Sequence, residues 1–129
     1  MLFRSVLYLR HTATDFSQND RQMTSFEDCA SQRNLTDAGR EQARQIGAQF
    51  TRLRIPVGAV LTSPFCRTVE TAMLAFGKAE KTQEVRGGPA TPEDPRRYAS
   101  LKRLLSKKVN TKVNRVIVGH GNPDRKSVV

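Results

Sequence analysis

A strand and a helix follow one another directly in residues 57–76, which read VGAVLTSPFCRTVETAMLAF. Residues 57–62 are a short apolar run of strand-forming residues. Ser63 as N-cap and Pro64 at the first helical position predict a helix, which Gly77 ends. The predicted buried stripe of this helix is Phe65, Val69, Ala72, Met73 and Phe76. A strand that leads straight into a helix is the repeating unit of a parallel sheet.

The same alternation extends to both sides of this unit. The predicted strands are residues 3–9, 57–62, 82–86 and 113–118. The predicted helices are Leu35–Leu53, the segment that begins at Ser63-Pro64, and a third that begins at Asp94-Pro95. This order predicts an α/β fold with three layers, helix–sheet–helix, around a mostly parallel sheet. Residues 13–34 form a polar loop, and a loop of that length is usually functional or mobile.

Two predicted helices show their inward faces in the sequence. The first has Thr36 as N-cap and Asp37 in its first turn. Gly39, Ala43 and Gly47 recur every fourth residue, which predicts a narrow face packed closely against a sheet. The larger residues of that face are Ile46, Phe50 and Leu53. The third helix is predicted to turn Tyr98, Leu101, Leu104 and Leu105 inward.

Length and composition indicate one soluble domain spanning residues 1–129. The chain has a mass of 14.5 kDa, with 37% hydrophobic and 26% charged residues, which is typical of a globular protein. No run approaches the roughly 20 apolar residues of a membrane span. The first residues do not resemble a secretory signal, so the cytoplasm is the default compartment. Cys29 and Cys66 have neither C-x-x-C spacing nor the density of a disulfide scaffold, so no pairing is predicted.

The net charge of +10 is concentrated in the second half of the chain. Residues 1–64 hold 8 basic and 6 acidic residues, whereas residues 65–129 hold 14 and 6. Such a field attracts nucleic acid, phosphorylated ligands or acidic lipid, although a solvated basic helix face explains it equally well. In residues 96–126, Tyr98 is the only aromatic residue among ten basic ones, so base stacking has little support. Nucleic-acid binding is therefore the weakest hypothesis.

Chemically active residues gather at the carboxyl ends of the predicted strands, where open α/β sheets bind ligands. The first strand ends in Arg10-His11, the second leads to Arg67, and the last ends at His120. One histidine at a strand end is usually a hydrogen-bonded turn residue. Both histidines of the chain at one edge, beside two arginines, favour a site.

These residue types suit phosphoryl transfer. Arginine forks match pairs of phosphate oxygens, and a neutral imidazole is a nucleophile. Two histidines and few carboxylates make a poor metal site. The sequence contains no phosphate-binding G-x-x-x-x-G-K-[ST] loop, no G-x-S-x-G elbow, and no cysteine followed by arginine six positions later.

Four blocks of the chain resemble the histidine phosphatase superfamily, also called phosphoglycerate mutase-like, in its small branch without an inserted cap. The blocks, in the order of the family, are residues 9–12, 34–43, 63–72 and 116–122. The resemblance implies that His11 is the nucleophile and becomes phosphohistidine. It implies that Arg10, Arg67 and His120 bind the phosphoryl group together with His11, and that no metal or other cofactor is needed.

Two local departures from the family concern the site. Thr12 stands where the family usually has glycine, and a left-handed backbone would be strained there. The family takes its general acid from the segment after the third strand, where Glu84 is the candidate. Glu93, Asp94 and Asp15 are alternatives.

The third departure concerns the end of the chain. The family continues after the last block with a further strand and helix, which this chain lacks. We therefore expect an exposed edge at residues 116–118 that favours a homodimer, or a poorly ordered stretch from about residue 119.

The leading functional hypothesis is a phosphatase that hydrolyses phosphomonoesters or phosphohistidine. Its partners would be a phosphorylated small molecule or a phosphoprotein, with phosphate or sulfate able to occupy the pocket. The alternative from another class is a catalytically impaired domain that binds phosphate or acts as a scaffold. Neither reading involves a membrane.

Overall fold

The computed structural model describes residues 5–86, 98–106 and 112–121. Their strands are β1 Val6–Arg10, β2 Val57–Thr62, β3 Glu80–Lys81 and β4 Asn114–Gly119. Their α-helices are α1 Asp37–Arg52, α2 Cys66–Phe76, α3 Gln83–Arg86 and α4 Ala99–Ser106, and a 3₁₀ helix spans Cys29–Ser31. The predicted α/β fold class is confirmed. The predicted start of the third helix at Asp94-Pro95 lies outside the described residues, and no described helix is long and apolar enough to cross a membrane.

The sheet is parallel throughout its described pairs, in the order β1-β4-β2-β3. Strand β4 therefore lies inside the sheet, where Val116 pairs with Leu7 on one side and with Val60 on the other. The expectation of an exposed edge at residues 116–118 is wrong, because the crossover inserts the last strand between the first two. The homodimer predicted through that edge loses its basis, and residues 122–129 lie outside the described part.

Side chains of β4 alternate between two cores. Val116 and Val118 face the layer of α1 and α2, where they pack with Val60 and Ala72. Ile117 faces the other layer. There it packs with Val85 of α3 and Leu101 of α4, and Tyr98, Leu104 and Leu105 pack against this cluster as predicted. The sheet therefore has helices on both faces, as the predicted three-layer arrangement requires.

The glycines of α1 allow close contact with a helix and a loop rather than with the sheet. A Cβ on Gly47 would overlap the backbone carbonyl of Ala75 in α2, and one on Gly39 would overlap the carbonyl of Ala13. Thr36 is the N-cap, as predicted, since its side chain accepts a hydrogen bond from Gly39 N at 3.0 Å. Leu53 is 59% exposed, so its predicted inward position is wrong.

The third strand differs from its prediction at residues 82–86. The observed β3 has only two residues, and residues 83–86 form α3. The chain passes from strand to helix at Thr82. The backbone N–H of Thr82 donates to Thr62 O at 2.8 Å, and its Oγ1 accepts from Glu84 N at 3.3 Å. A side chain that binds a helical N–H favours a helix start over a continuing strand.

The helix α2 starts two residues later than predicted and buries a different face. Its N-cap is Phe65, without a side-chain cap bond, whereas Ser63 bonds elsewhere. The buried residues are Arg67, Thr68, Thr71 and Ala72. Met73, predicted to be buried, is 48% exposed. The polar face is compatible with burial because its hydroxyls are bonded, as when Thr71 Oγ1 donates to Arg67 O at 2.7 Å. Gly77 ends α2 in a left-handed conformation, as predicted.

Candidate active site

His11 follows β1 directly and is held by two hydrogen bonds. Its backbone N–H donates to Gly119 O at 2.9 Å, which continues the pairing with β4. Its Nδ1 lies 2.8 Å from Thr12 O. Because a carbonyl only accepts, Nδ1 carries the proton and Nε2 keeps its lone pair. His11 is 8% exposed, so it is a buried base with one ring nitrogen that bonds no described residue.

His120 stands beside His11 at the end of β4. The two ring centroids lie 5.5 Å apart at an interplanar angle of 65°. Ser63 Oγ lies 2.7 Å from His120 Nε2, so Nδ1 is the ring nitrogen left for a ligand. The Tyr8 hydroxyl donates to His120 O at 2.7 Å and fixes the backbone at this point. The structure thus brings together the two histidines predicted from the strand ends.

Arg67 lies in the first turn of α2 and is 7% exposed. Its Nη1 donates to Asp20 Oδ1 at 3.1 Å and to Arg33 O at 3.3 Å, and its guanidinium lies 4.4 Å above the Phe65 ring centroid. The Phe65 ring in turn contacts the His120 ring, with centroids 5.1 Å apart. These contacts place Arg67 next to the two imidazoles.

Two residues of this cluster, Asp20 and Arg33, were missed in the sequence. Asp20 Oδ1 accepts from Arg33 N at 2.9 Å as well as from Arg67. Both lie within the polar loop 13–34, which has no periodicity, so no local pattern marks them. The one available signal was that Arg33 directly precedes the block Asn34–Ala43.

Buried guanidinium nitrogens in the cluster are left unpaired. The Nε atoms of Arg33 and Arg67 are buried and have no hydrogen-bond partner within the described protein. Native structures satisfy nearly all buried polar groups, so an unpaired donor here indicates a place for an acceptor. An anion with several oxygens would supply it.

The positive charges and the burial of the cluster hold both imidazoles neutral. Burial, opposed by the Thr12 hydrogen bond and assisted by the charge of Arg67, lowers the pKa of His11 to about 4. Burial, with the charge of Arg67 next, lowers the pKa of His120 to about 3. Arg10 also contributes to the lowered pKa of His11, and Arg33 to that of both histidines. A neutral imidazole at pH 7 is the form that can act as a nucleophile.

Asp20 is an ionised carboxylate in this environment. Burial raises the pKa of its carboxyl, but the hydrogen bonds from Arg33 N and Arg67 outweigh burial and lower the pKa overall. It therefore serves as a counter-charge to Arg67 rather than as an acid at neutral pH.

Thr12, where the family usually has glycine, fits without strain. It is 9% exposed, and its N–H donates to Thr71 Oγ1 at 3.3 Å. Among the described non-glycine residues, a positive φ occurs at Arg54, not at Thr12. The strain expected from a left-handed backbone at Thr12 is therefore absent.

The remaining predicted site residues lie further out. Arg10 adjoins His11 but is exposed at the end of β1. Glu84 is exposed on α3, and no hydrogen bond or ion pair among the described residues joins its side chain to the histidines or Arg67. Asp15 is partly buried, and its carboxylate accepts from Ser17 N and Oγ. Glu93 and Asp94 lie outside the described residues.

The fold and this cluster define a phosphoglycerate mutase-like protein, in which a parallel sheet brings two histidines and a buried arginine to its carboxyl edge. The chain belongs to the histidine phosphatase superfamily (branch 1), whose family profile matches residues 6–88. This membership confirms the resemblance drawn from the four sequence blocks and supports phosphatase chemistry. No match was found among curated proteins.

Solved structures share the fold at low sequence identity. SixA from Agrobacterium tumefaciens is 21% identical with a TM-score of 0.60, over 94% of this chain and 71% of that one. SixA from Nakamurella multipartita is 20% identical with a TM-score of 0.58, over 92% of this chain and 59% of that one. The protein histidine phosphatase SixA in complex with tungstate is 20% identical with a TM-score of 0.54, over 89% and 68%. At such identities the likeness establishes the fold.

Proposed function

We propose that this protein is a phosphatase that hydrolyses phosphomonoesters or phosphohistidine through a covalent phosphohistidine on His11. The arrangement that carries the proposal is a neutral buried imidazole beside two guanidinium groups whose buried Nε–H donors lack partners among the described residues. The imidazole supplies a nucleophile, and the donors supply positive charge for the oxygens of a transferring phosphoryl group.

The reaction runs in two displacements at phosphorus. The lone pair of His11 Nε2 attacks, the bond from phosphorus to the leaving group breaks, and the leaving group takes up a proton. A water molecule then attacks the phosphohistidine, the P–N bond breaks, and inorganic phosphate departs with neutral His11 restored. Arg67, Arg10 and His120 bind the oxygens in both steps, and no metal is required.

The source of the leaving-group proton decides which substrates react well. Glu84 is the proposed general acid, and it stands outside the cluster of histidines and Arg67. Substrates with good leaving groups, including a phosphohistidine, depend least on such an acid. A phosphohistidine-containing protein is therefore the substrate class that we favour, in keeping with the name of the structural relative that binds tungstate.

Glu84→Gln tests the role of Glu84. If Glu84 donates the proton, the variant should lose about 10²-fold or more in kcat on alkyl phosphates and little on p-nitrophenyl phosphate. Glu80→Gln, at an exposed position nearby, is the matched control. Equal activity of Glu84→Gln and the wild type on both substrates would remove Glu84 from the mechanism.

The proposed function itself is tested by hydrolysis of p-nitrophenyl phosphate. Wild type should turn over and His11→Ala should not, while Arg44→Ala, an exposed arginine on α1, should match the wild type. Quenching with base during turnover should leave phosphate on His11 in the wild type, because a phosphohistidine is stable to base and labile to acid. If wild type and His11→Ala are equally inactive on phosphoesters and on phosphohistidine protein, the enzyme proposal fails.

A second candidate is a phosphate-binding domain with impaired catalysis. The Asp20 carboxylate already takes the Nη1 donor of Arg67 at 3.1 Å, and no acid lies among the described residues in contact with the histidines. This candidate predicts that tungstate or phosphate binds with no turnover of any substrate. Binding of tungstate by wild type and its loss in Arg67→Ala would support it in that case.

A further inference from the structure

A disulfide joins the polar loop to the helix of the active site. Cys29 in the 3₁₀ helix pairs with Cys66, the first residue of α2, with their Cα atoms 5.7 Å apart and a sequence separation of 37. These are the two cysteines of the chain. Cys29 is exposed, and both cysteines line an open groove of about 1050 Å³. A small thiol can therefore reach the bond.

Each half of the disulfide adjoins residues of the active site. On one side, Cys66 lies between Phe65, whose ring contacts His120, and Arg67. On the other side, Cys29 begins the turn that leads to Arg33. The bond therefore ties together the two segments that carry Arg33 and Arg67.

A buried carboxamide runs alongside the disulfide. Gln32 is 1% exposed, its Oε1 accepts from Cys66 N at 2.9 Å, and its Nε2 donates to Phe26 O at 3.0 Å. Gln32 directly precedes Arg33, so this bridge sets the position of Arg33 relative to α2. These two hydrogen bonds require the loop and the start of α2 to keep their relative position, which the disulfide maintains.

The other contacts of the loop with the site are non-covalent. They are the Asp20–Arg67 ion pair, the Arg67 bond to Arg33 O, and the contact of the Phe26 and Phe65 rings at 5.1 Å. Asp20 is 31% exposed in its side chain, so water competes for that pair. Without the disulfide, a loop of about twenty residues between Thr14 and Leu35 would rely on such contacts.

We propose that the Cys29–Cys66 disulfide is a redox-controlled anchor of the phosphate site, an inference that rests on the function proposed above and adds its regulation. A dithiol reductant attacks one sulfur to form a mixed disulfide, and its second thiolate then releases the protein. Two electrons and two protons pass to the protein, Cys29 and Cys66 become thiols, and the reductant becomes a disulfide. The reduced loop then holds Arg33 and Asp20 less firmly beside Arg67.

The test compares the oxidised and reduced full-length chain with inorganic phosphate as the probe. Reduction with dithiothreitol should weaken phosphate binding and lower kcat/KM on p-nitrophenyl phosphate, each by about 10-fold to 100-fold, because displaced binding groups cost rate steeply. Backbone hydrogen exchange should accelerate at residues 26–34 and stay unchanged in β4. The double variant C29S/C66S should behave like the reduced wild type and should not respond to reductant.

The outcomes separate this inference from the proposed function. Turnover that is equal in both redox states, with equal phosphate affinity, overturns the anchor and leaves the phosphatase intact. Phosphate affinity that responds to reduction without turnover in either state supports the anchor and overturns the phosphatase. A general loss of far-ultraviolet circular dichroism on reduction also overturns the anchor, because the bond would then serve the whole fold. If C29S/C66S fails to fold, the reversible reduction of wild type decides.

Discussion

The nucleophilic role that we propose for His11 rests on its immediate neighbours. The carbonyl of Thr12 fixes the proton on Nδ1, and burial with the charge of Arg67 keeps the ring neutral. Placing the same imidazole on the surface would leave it half protonated near pH 6.5 and without a fixed tautomer. A single backbone hydrogen bond and the burial of the ring therefore leave Nε2 as the nitrogen available to react.

The acid limb of activity should reflect these lowered pKa values. For the free protein, kcat/KM on p-nitrophenyl phosphate should stay high as the pH falls through 6.5 and should drop near pH 4, where His11 becomes protonated. The measurement is kcat/KM against pH at constant ionic strength, corrected for ionisation of the substrate. An acid limb centred at pH 6 to 7 would show that His11 is solvated.

The two histidines should also make the free energy of unfolding decrease as the pH falls. In the unfolded chain each histidine titrates near 6.5, whereas in the folded chain both remain neutral to about pH 4. Between these values the unfolded state binds more protons. Each histidine should then lower the free energy of unfolding by up to about 1.4 kcal/mol per pH unit as the pH falls. Urea unfolding at several pH values measures this slope, which should be smaller in His120→Asn.

The role proposed for Arg67 depends on the shape of its guanidinium group as well as on its charge. The guanidinium bonds Asp20 and Arg33 O with Nη1 and lies over the Phe65 ring, which leaves Nε–H for a ligand. A lysine offers a point charge without this fork. Arg67→Lys should lose about 10²-fold or more in kcat/KM, while Arg52→Lys on exposed α1 should retain activity. Full activity of Arg67→Lys would contradict a fork on the phosphoryl group.

The two helices on one face of the sheet are held close by small residues. Gly47 on α1 lies against the backbone of Ala75 on α2, which is the helix that positions Arg67. A glycine inside a helix costs about 1 kcal/mol relative to alanine, so its presence indicates a close approach that a side chain would prevent. The packing of α1 thus supports the site without touching it.

Gly47→Ala should lower the free energy of unfolding despite its higher helix propensity. The new Cβ overlaps a backbone carbonyl, which cannot turn away as a side chain could. Overpacking costs typically 1–3 kcal/mol, against a gain of about 1 kcal/mol in propensity, so we expect a net loss of up to about 2 kcal/mol. Urea unfolding compared with Gln49→Ala, an exposed change on α1, checks this. A stabilised Gly47→Ala would mean that α1 and α2 separate readily.

The distribution of charge concerns the molecule as a whole. The chain carries +10, and the described end of the sheet gathers Arg10, Arg33 and Arg67 around two neutral histidines. Such a field draws anions toward the site and does so less as salt increases. We propose that residues 1–129 form one domain whose charges together attract anions, with the basic second half contributing to the attraction.

Association with anionic substrates should therefore depend on salt. Raising the ionic strength from a low value to about 0.15 M, where the Debye length is about 8 Å, should lower kcat/KM on p-nitrophenyl phosphate severalfold through KM. A phosphopeptide with net positive charge is the matched control and should show the opposite trend. Equal trends for both substrates would mean that the net charge does not attract substrate to the site. A salt-dependent gel shift would then test whether the protein binds nucleic acid.

Local patterns in the sequence determined the alternating elements, the N-cap at Thr36, the end of α2 at Gly77, and the meeting of His11 with His120. These features follow from periodicity, from capping chemistry, and from the rule that parallel strands end at one edge. The predictions for the start of α2 and for residues 82–86 were wrong because polar groups there bond to residues that are distant in sequence. Ser63 Oγ turns to His120, and the N–H of Thr82 to Thr62 O.

Only the tertiary structure decided the central position of β4, the Cys29–Cys66 pairing, and the entry of Asp20 and Arg33 into the site. Each depends on contacts between residues far apart in sequence, such as Asp20 with Arg67 across 47 positions. Hydrophobic periodicity carries no information about such contacts, because it reports which side of one element is buried and not what lies opposite. The residue types of the proposed phosphate site were therefore readable from the sequence, whereas the loop that completes the proposed site is determined by the folded chain.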